Sequence, residues 1–68
     1  MRQNMAEVNN EKWVSLDEAA EYLSVKPITI RDWIKKDTAI PARKIGRKWA
    51  FKYSELDEWV KSGKSANI

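Results

Sequence analysis

Apolar residues occur along the chain in four short groups, and their spacing predicts a helix in three groups and a hairpin in the other. The first group, from Leu16 to Leu23, places two leucines and two alanines on one face of a two-turn helix. Ser15 and Glu18 occupy the two positions of a capping box, in which each side chain accepts a hydrogen bond from the other residue's backbone N–H. We therefore expect the first helix to begin at Leu16.

A second helix follows after a turn that is too short to form any other structure. Pro27 suits the first position of a helix, because its φ is fixed and it lacks an N–H that would otherwise be unsatisfied there. Ile30, Trp33 and Ile34 then form the stripe expected to be buried. Two short helices joined by such a turn predict a helix-turn-helix.

The third apolar group alternates and predicts a β-hairpin. Pro41 pushes the residue before it into an extended conformation, and Gly46 supplies a turn residue. In the segment 48–52, Trp49 and Phe51 lie on one face and the lysines on the other.

Two registers of this hairpin fit the sequence. A two-residue turn, Gly46-Arg47, pairs Ile45 with Lys48, whereas a three-residue loop pairs Ile45 with Trp49 on the apolar face. Burial of Ile45 favours the three-residue loop.

The fourth group predicts a third helix that is capped by Ser54, directs Leu56, Trp59 and Val60 inward, and ends near Ser62. The predicted fold is mainly α with a small β-hairpin wing, a winged helix-turn-helix, and a short strand at residues 13–14 could join the hairpin. We expect a disordered arm at 1–11, the domain at 12–62 and a frayed tail at 63–68.

Composition explains how so small a domain can fold. The chain has 68 residues and no cysteine, so its core depends on large apolar side chains rather than on disulfides. Trp13, Trp33, Trp49 and Trp59 could stack on unpaired bases, but each falls on the inward side of its predicted element. We therefore expect the four tryptophans to pack in the core.

Charge is segregated along the chain. Thirteen basic and ten acidic residues give a net charge of only +3, but between Lys26 and Lys52 the only acids are Asp32 and Asp37. The segments on either side are acidic. This distribution suits a polyanion that binds one face.

Several functions are disfavoured by missing residue types. Without histidine or cysteine, the usual Ser-His and Cys-His nucleophile pairs and the common zinc sites cannot form, so we expect no enzyme, no cofactor and no metal. The chain also lacks the run of roughly 20 apolar residues that spans a bilayer. We expect no membrane partner and a cytoplasmic, nucleoid-associated location.

The runs WVSLDEAAEYLSV, TIRDWIKK and IPARKIGRKWAFKYSELDEWV, in this order and spacing, resemble the small winged helix-turn-helix domains of the excisionase family, relatives of the MerR-type DNA-binding domain. The resemblance covers residues 13–60. It implies that the second helix enters the major groove of double-stranded DNA, that the wing reaches the adjacent minor groove, and that neighbouring copies can bind side by side. An integrase or another recombinase is then a possible partner.

The resemblance also implies roles for single residues. Thr29 and Arg31 would lie near phosphates, Ile28 and Asp32 would read bases, and Arg47 would form the wing tip. The full set of DNA-binding candidates is Lys26, Ile28, Thr29, Arg31, Asp32, Lys35, Lys36, Arg43, Lys44, Arg47 and Lys48.

The chain departs from the family at two places. Many relatives cap the second helix with Ser or Thr and follow it with a basic residue, where this chain has Lys26 and Pro27, and a second arginine often stands at the position of Asp32. Asp32 could accept a hydrogen bond from a cytosine amino group or pair with Lys36 four residues on. The sequence leaves both possibilities open.

The biological role has alternatives as well. An excisionase-type recombination directionality factor and a small transcriptional regulator would use the same DNA-binding surface. A protein-interaction adaptor that has lost DNA binding is a further alternative, which the basic wing tip argues against. RNA binding is disfavoured because no exposed aromatic platform is expected.

Overall fold

The computed structural model describes residues 11–67, so the prediction of a disordered arm lies outside the described residues except at residue 11. These residues fold into three helices, a three-stranded antiparallel sheet and a final 3₁₀ turn, which confirms the predicted winged helix-turn-helix. The elements are β1 (Val14–Ser15), α1 (Leu16–Leu23), α2 (Pro27–Lys35), β2 (Arg43–Ile45), β3 (Lys48–Phe51), α3 (Tyr53–Lys61) and the 3₁₀ turn Lys64–Asn67.

α1 begins with the predicted capping box. The Ser15 N–H donates to Glu18 Oε1 over 2.8 Å, and the Glu18 N–H donates to Ser15 Oγ over 3.0 Å. The bond from the Ser15 backbone lowers the pKa of Glu18 below its ordinary value of 4.5. Ser24 ends the helix in the left-handed conformation, with φ 61°. Both predicted helix bounds are confirmed.

α2 begins at Pro27, as predicted, and its inward stripe docks it on the rest of the domain. Ile30 is completely buried, while Trp33 and Ile34 are partly buried against the core. The rings of Trp33 and Trp59 pack at 5.5 Å between centroids. This packing fixes which side of α2 faces outward.

The core lies between α1, the inner face of the sheet, α2 and α3. Its largest completely buried side chains are Phe51, Ile30 and Leu56, and Trp59 is also buried. The Trp59 Nε1–H donates to the Thr38 carbonyl over 3.0 Å, so the indole anchors the segment that follows α2.

The sheet has the order β1-β3-β2, and β1 pairs with β3 beside the hairpin. The favoured hairpin register is wrong: Ile45 pairs with Lys48, and Lys44 pairs with Trp49. Gly46 has φ 63° and heads a two-residue turn, where glycine at the first central position matches the twist of the strands. Turn geometry therefore decides the register, and Ile45 remains 52% exposed.

Two further predictions of burial are wrong. Trp13 is 41% exposed, and its ring lies 4.5 Å from the Lys52 ammonium, a cation–π contact on the outside of the sheet. Val60 is 44% exposed, because α3 needs only Leu56 and Trp59 to fill its contact with the core.

The start of α3 also differs from the prediction. The helix begins at Tyr53, and Ser54 lies within its first turn instead of capping it. The carboxylate of Glu11 takes the capping role: it accepts from the Ser54 N–H over 3.0 Å and from the Ser54 hydroxyl over 2.5 Å. Glu11, the last residue of the predicted arm, is thus attached to α3 by two hydrogen bonds.

A 3₁₀ turn follows α3 at Lys64–Asn67. The Ser62 hydroxyl donates to the Trp59 carbonyl over 2.6 Å, and the Ala66 N–H donates to the Gly63 carbonyl over 3.1 Å. These local bonds form the 3₁₀ turn without an apolar periodicity that the sequence could reveal.

Candidate nucleic-acid interface

The outward side of α2 and the hairpin bound two adjoining clefts. The first has a volume of about 320 Å³ and lies between the N-terminal end of α1, helix α2 and the hairpin. Its lining includes Asp17, Arg31, Lys44, Arg47, Lys48 and Trp49. The second, of about 380 Å³, runs along α2 and is lined by Ile28, Arg31, Asp32, Ile34, Lys35 and Trp49. Arg31 and Trp49 line both clefts, so the two form one continuous concave surface, which we call the α2–wing surface.

The α2–wing surface gathers most of the residues expected to bind DNA. From α2 it takes Ile28, Arg31, Asp32 and Lys35, and from the hairpin it takes Lys44, Arg47 and Lys48. Four other candidates lie outside the two linings: Lys26, Thr29, Lys36 and Arg43. Three of these four side chains are exposed, and Thr29 is half-buried.

The local fold explains why these side chains point outward together. Ile30 and Ile34 turn one side of α2 toward the core, which leaves the side with Ile28, Arg31 and Lys35 facing the clefts. Ile28 is 69% exposed, although a large apolar side chain gains nothing from contact with water. Ile28 thus places apolar surface beside the cations that line the second cleft.

Charge on this surface is mostly uncompensated. Among residues 11–67, the only ion pair joins Asp32 and Lys36, with 3.0 Å between Oδ2 and Nζ. Arg31, Lys35 and Arg47 form no ion pair within these residues and are available to an external anion, such as a phosphate. Of the two possibilities left open for Asp32, the (i, i+4) pair forms, while 51% of that side chain remains exposed.

The hairpin contributes one aromatic side chain, Trp49, to the surface. The Lys44 ammonium lies 4.9 Å from the ring centroid of Trp49, and Trp49 lines both clefts. Because Lys44 and Trp49 are direct cross-strand partners, the observed register creates this cation–π contact.

Five residues line the α2–wing surface without being among the predicted DNA-binding residues: Ser15, Leu16, Asp17, Ile34 and Trp49. Trp49 packs against the buried cluster, as predicted, and it lines both clefts as well. Asp17 belongs to the acidic segment that precedes the basic part of the chain. Asp17 nevertheless lines the first cleft with the basic residues. Its place depends on how α1 packs beside the hairpin, and neither periodicity nor local charge reports that packing.

Other kinds of site find no support in the described part of the chain. Residues 11–67 contain no group of three or more acidic, histidine or cysteine side chains that could hold a metal ion. Over the same residues, every helix is too short or too polar to cross a lipid bilayer.

Comparison with known proteins supports a single family. A family model described as a helix-turn-helix domain matches residues 13–64, which include all elements from β1 to α3. No curated protein and no solved structure matches the chain. The family match supports DNA as a partner, and it is consistent with the small excisionase type that the motifs resemble.

Proposed function

The chain belongs to the helix-turn-helix domain family, and from that premise we propose that it binds double-stranded DNA sequence-specifically through the α2–wing surface. The observation that carries the proposal is the shared position of Arg31, which joins the exposed side of α2 to the basic hairpin in one concave surface. A polyanion that contacts one of these elements is thereby brought to the other.

The dimensions of α2 fit the major groove. Its nine residues make a helix roughly 14 Å long, and the major groove of B-DNA is about 12 Å wide. In this arrangement Ile28 contacts a thymine methyl group, Thr29 and Arg31 bind phosphates, and Asp32 accepts from a cytosine amino group. Lys26, Lys35 and Lys36 lie along the same helix and add contacts to the backbone.

The hairpin then reaches the adjacent minor groove. Arg47 stands in the turn and is the first wing residue to enter a narrow groove, where the negative potential attracts arginine. Arg43, Lys44 and Lys48 follow on the two strands and bind the phosphates on either side.

We propose recombination as the context, with the chain acting as an excisionase-type directionality factor in the cytoplasm. The order and spacing of the excisionase-like motifs support this role, whose partners would be an integrase and neighbouring copies of the same chain on DNA. A small transcriptional regulator would need the same DNA surface and an operator instead. Excision measured with and without a recombinase separates the two roles.

The test of DNA binding is selection from a random duplex pool, followed by affinity measurements over a range of salt concentrations. If about six phosphates are neutralised, log K against log salt has a slope of about −5. Arg31→Ala should make the slope shallower by about one, since it removes one phosphate contact.

Lys61→Ala is the matched control for Arg31→Ala. Lys61 is an exposed cation in the last turn of α3 and lies outside both cleft linings, so its removal should leave the slope unchanged. A slope near zero for the native protein would overturn the proposed binding to DNA.

A further inference from the structure

Ile45 is an exposed apolar residue at the end of the wing. It is the last residue of β2, immediately before the Gly46-Arg47 turn, and its direct partner is Lys48. Since paired residues of antiparallel strands point to the same face, Ile45 and Lys48 share one face of the hairpin tip. The Ile45 side chain is 52% exposed there.

The fold does not explain an isoleucine at this position. Ile45 lies outside the buried cluster, and the other residues of β2, Arg43 and Lys44, are also exposed. A polar β-branched residue such as threonine would suit the strand equally well. Ile45 therefore exposes apolar surface that contributes little to the core.

The surroundings of Ile45 favour an anionic partner that also has apolar surface. Ile45 and Lys48 line a shallow depression of about 200 Å³ on the outer face of the sheet, together with Trp13 and Ala50. Among residues 11–67, Lys48 and Arg47 have no ion-pair partner. The tip thus combines free cations with an apolar side chain.

We propose that Ile45 is an apolar minor-groove contact, which presses against the sugars and base edges of the duplex while Arg47 and Lys48 bind the flanking anionic groups. This inference rests on the proposed DNA binding and adds a residue and a contact type to it. Apolar side chains in the minor groove partly unstack a base step and bend the duplex. Ile45 would accordingly strengthen binding to DNA sites that have a readily deformed pyrimidine–purine step under the wing.

The test compares Ile45→Val with Ile45→Thr on a duplex selected by the native protein. Valine and threonine have nearly the same shape and both are β-branched, so the pair isolates polarity from strand propensity. Val60→Thr is the control at an exposed apolar position of α3, far along the chain from the wing. Affinity, salt slope, duplex bending by fluorescence energy transfer and thermal midpoint are measured for each variant.

We expect Ile45→Thr to bind about fivefold more weakly than Ile45→Val, which corresponds to replacing one methyl group buried against the duplex by a hydroxyl. The native protein should bend the duplex by at least about 20°, and Ile45→Thr should reduce the bend. The salt slope and the thermal midpoint should be the same for both Ile45 variants. Val60→Thr should bind the duplex as tightly as the native protein does.

Equal binding and bending by the two Ile45 variants would overturn the contact while leaving DNA binding intact. Weaker binding by Ile45→Thr together with a lower thermal midpoint than that of Ile45→Val would also overturn it, because Ile45 would then act through the stability of the domain. Failure of the native protein to bind any duplex would instead overturn the proposed function itself.

Discussion

At the scale of single residues, Asp32 matters more for the attraction of α2 to phosphate than for the stability of the fold. Its exposed pair with Lys36 contributes only about 0.3 to 0.5 kcal/mol, as is usual for such (i, i+4) pairs. The same carboxylate cancels one cation on the side of α2 that lines the second cleft. It therefore weakens attraction to any phosphate and favours selective over indiscriminate binding.

Replacement of Asp32 distinguishes base reading from charge cancellation. In Asp32→Ala the Lys36 ammonium is released, so the salt slope of DNA binding should steepen by about one for every duplex. If Asp32 also accepts from a cytosine, the variant should lose about 1 to 3 kcal/mol of discrimination at one base pair. Selection from a random pool with native and variant protein measures both quantities.

Asp32→Asn serves as the matched control, because it removes the charge and keeps a side-chain oxygen that can accept a hydrogen bond. Retained preference for one base pair in Asp32→Asn, with loss in Asp32→Ala, would establish base reading. Identical preferences in all three proteins would leave Asp32 only its electrostatic role.

At the scale of elements, the sequence predicts what is local and misses what depends on tertiary contact. The capping box and Pro27 mark the starts of α1 and α2 correctly, because each signal lies within a few residues of its element. The cap of α3 was missed, since Glu11 is 43 residues from Ser54. The predicted register of the hairpin is wrong, because the geometry of the turn at Gly46 decides the pairing and the burial of Ile45 does not.

The same distinction holds for the α2–wing surface. Helical periodicity identifies Ile28, Arg31 and Lys35 as outward residues, and they line the second cleft. The contribution of Asp17 requires α1 to pack beside the hairpin, which no local pattern encodes.

The connection between α2 and β2 has a strained backbone that can be relieved. Ala39 adopts φ 68°, a left-handed conformation that costs a residue with a Cβ about 1 to 2 kcal/mol. Ala39→Gly removes that cost but adds flexibility to the unfolded chain, so we expect a net stabilisation of about 0.5 to 1 kcal/mol. Denaturant unfolding measures the difference.

Ala39→Val is the opposing control, because a β-branched side chain fits this conformation worse than alanine. It should destabilise the domain under the same conditions. If glycine and valine shifted stability in the same direction, packing around residue 39 rather than its φ would control this connection.

At the scale of the whole molecule, two contacts with titratable groups attach α3 to earlier parts of the chain. Glu11 accepts two hydrogen bonds from Ser54, and these lower its pKa below the ordinary 4.5. The Tyr22 hydroxyl donates to Asp57 over 2.8 Å, and this bond raises the pKa of Tyr22 above its ordinary 10.0. The Tyr22 and Tyr53 rings stack at 4.1 Å beside this bond.

The two shifts predict how stability depends on pH. The lowered pKa of Glu11 means that its contribution is present above pH 4.5 and is lost as pH falls through the lower, folded-state pKa. The raised pKa of Tyr22 means that its contribution is complete below pH 10 and is lost as pH rises through the higher, folded-state pKa. Thermal unfolding of the native protein across the pH range should therefore show a decline at each end.

Tyr22→Phe and Glu11→Gln assign the two declines. Tyr22→Phe keeps an aromatic ring for stacking on Tyr53 and should lessen the alkaline decline alone, because only the titrating hydroxyl is removed. Glu11→Gln keeps an oxygen for Ser54 and should lessen the acid decline, but not abolish it, since the lowered pKa of Glu18 contributes in the same range.

Since both contacts involve α3 and lie outside the linings of the two clefts, each variant should keep the native salt slope of DNA binding at neutral pH. A changed slope in either variant would show instead that the attachment of α3 governs the geometry of the α2–wing surface.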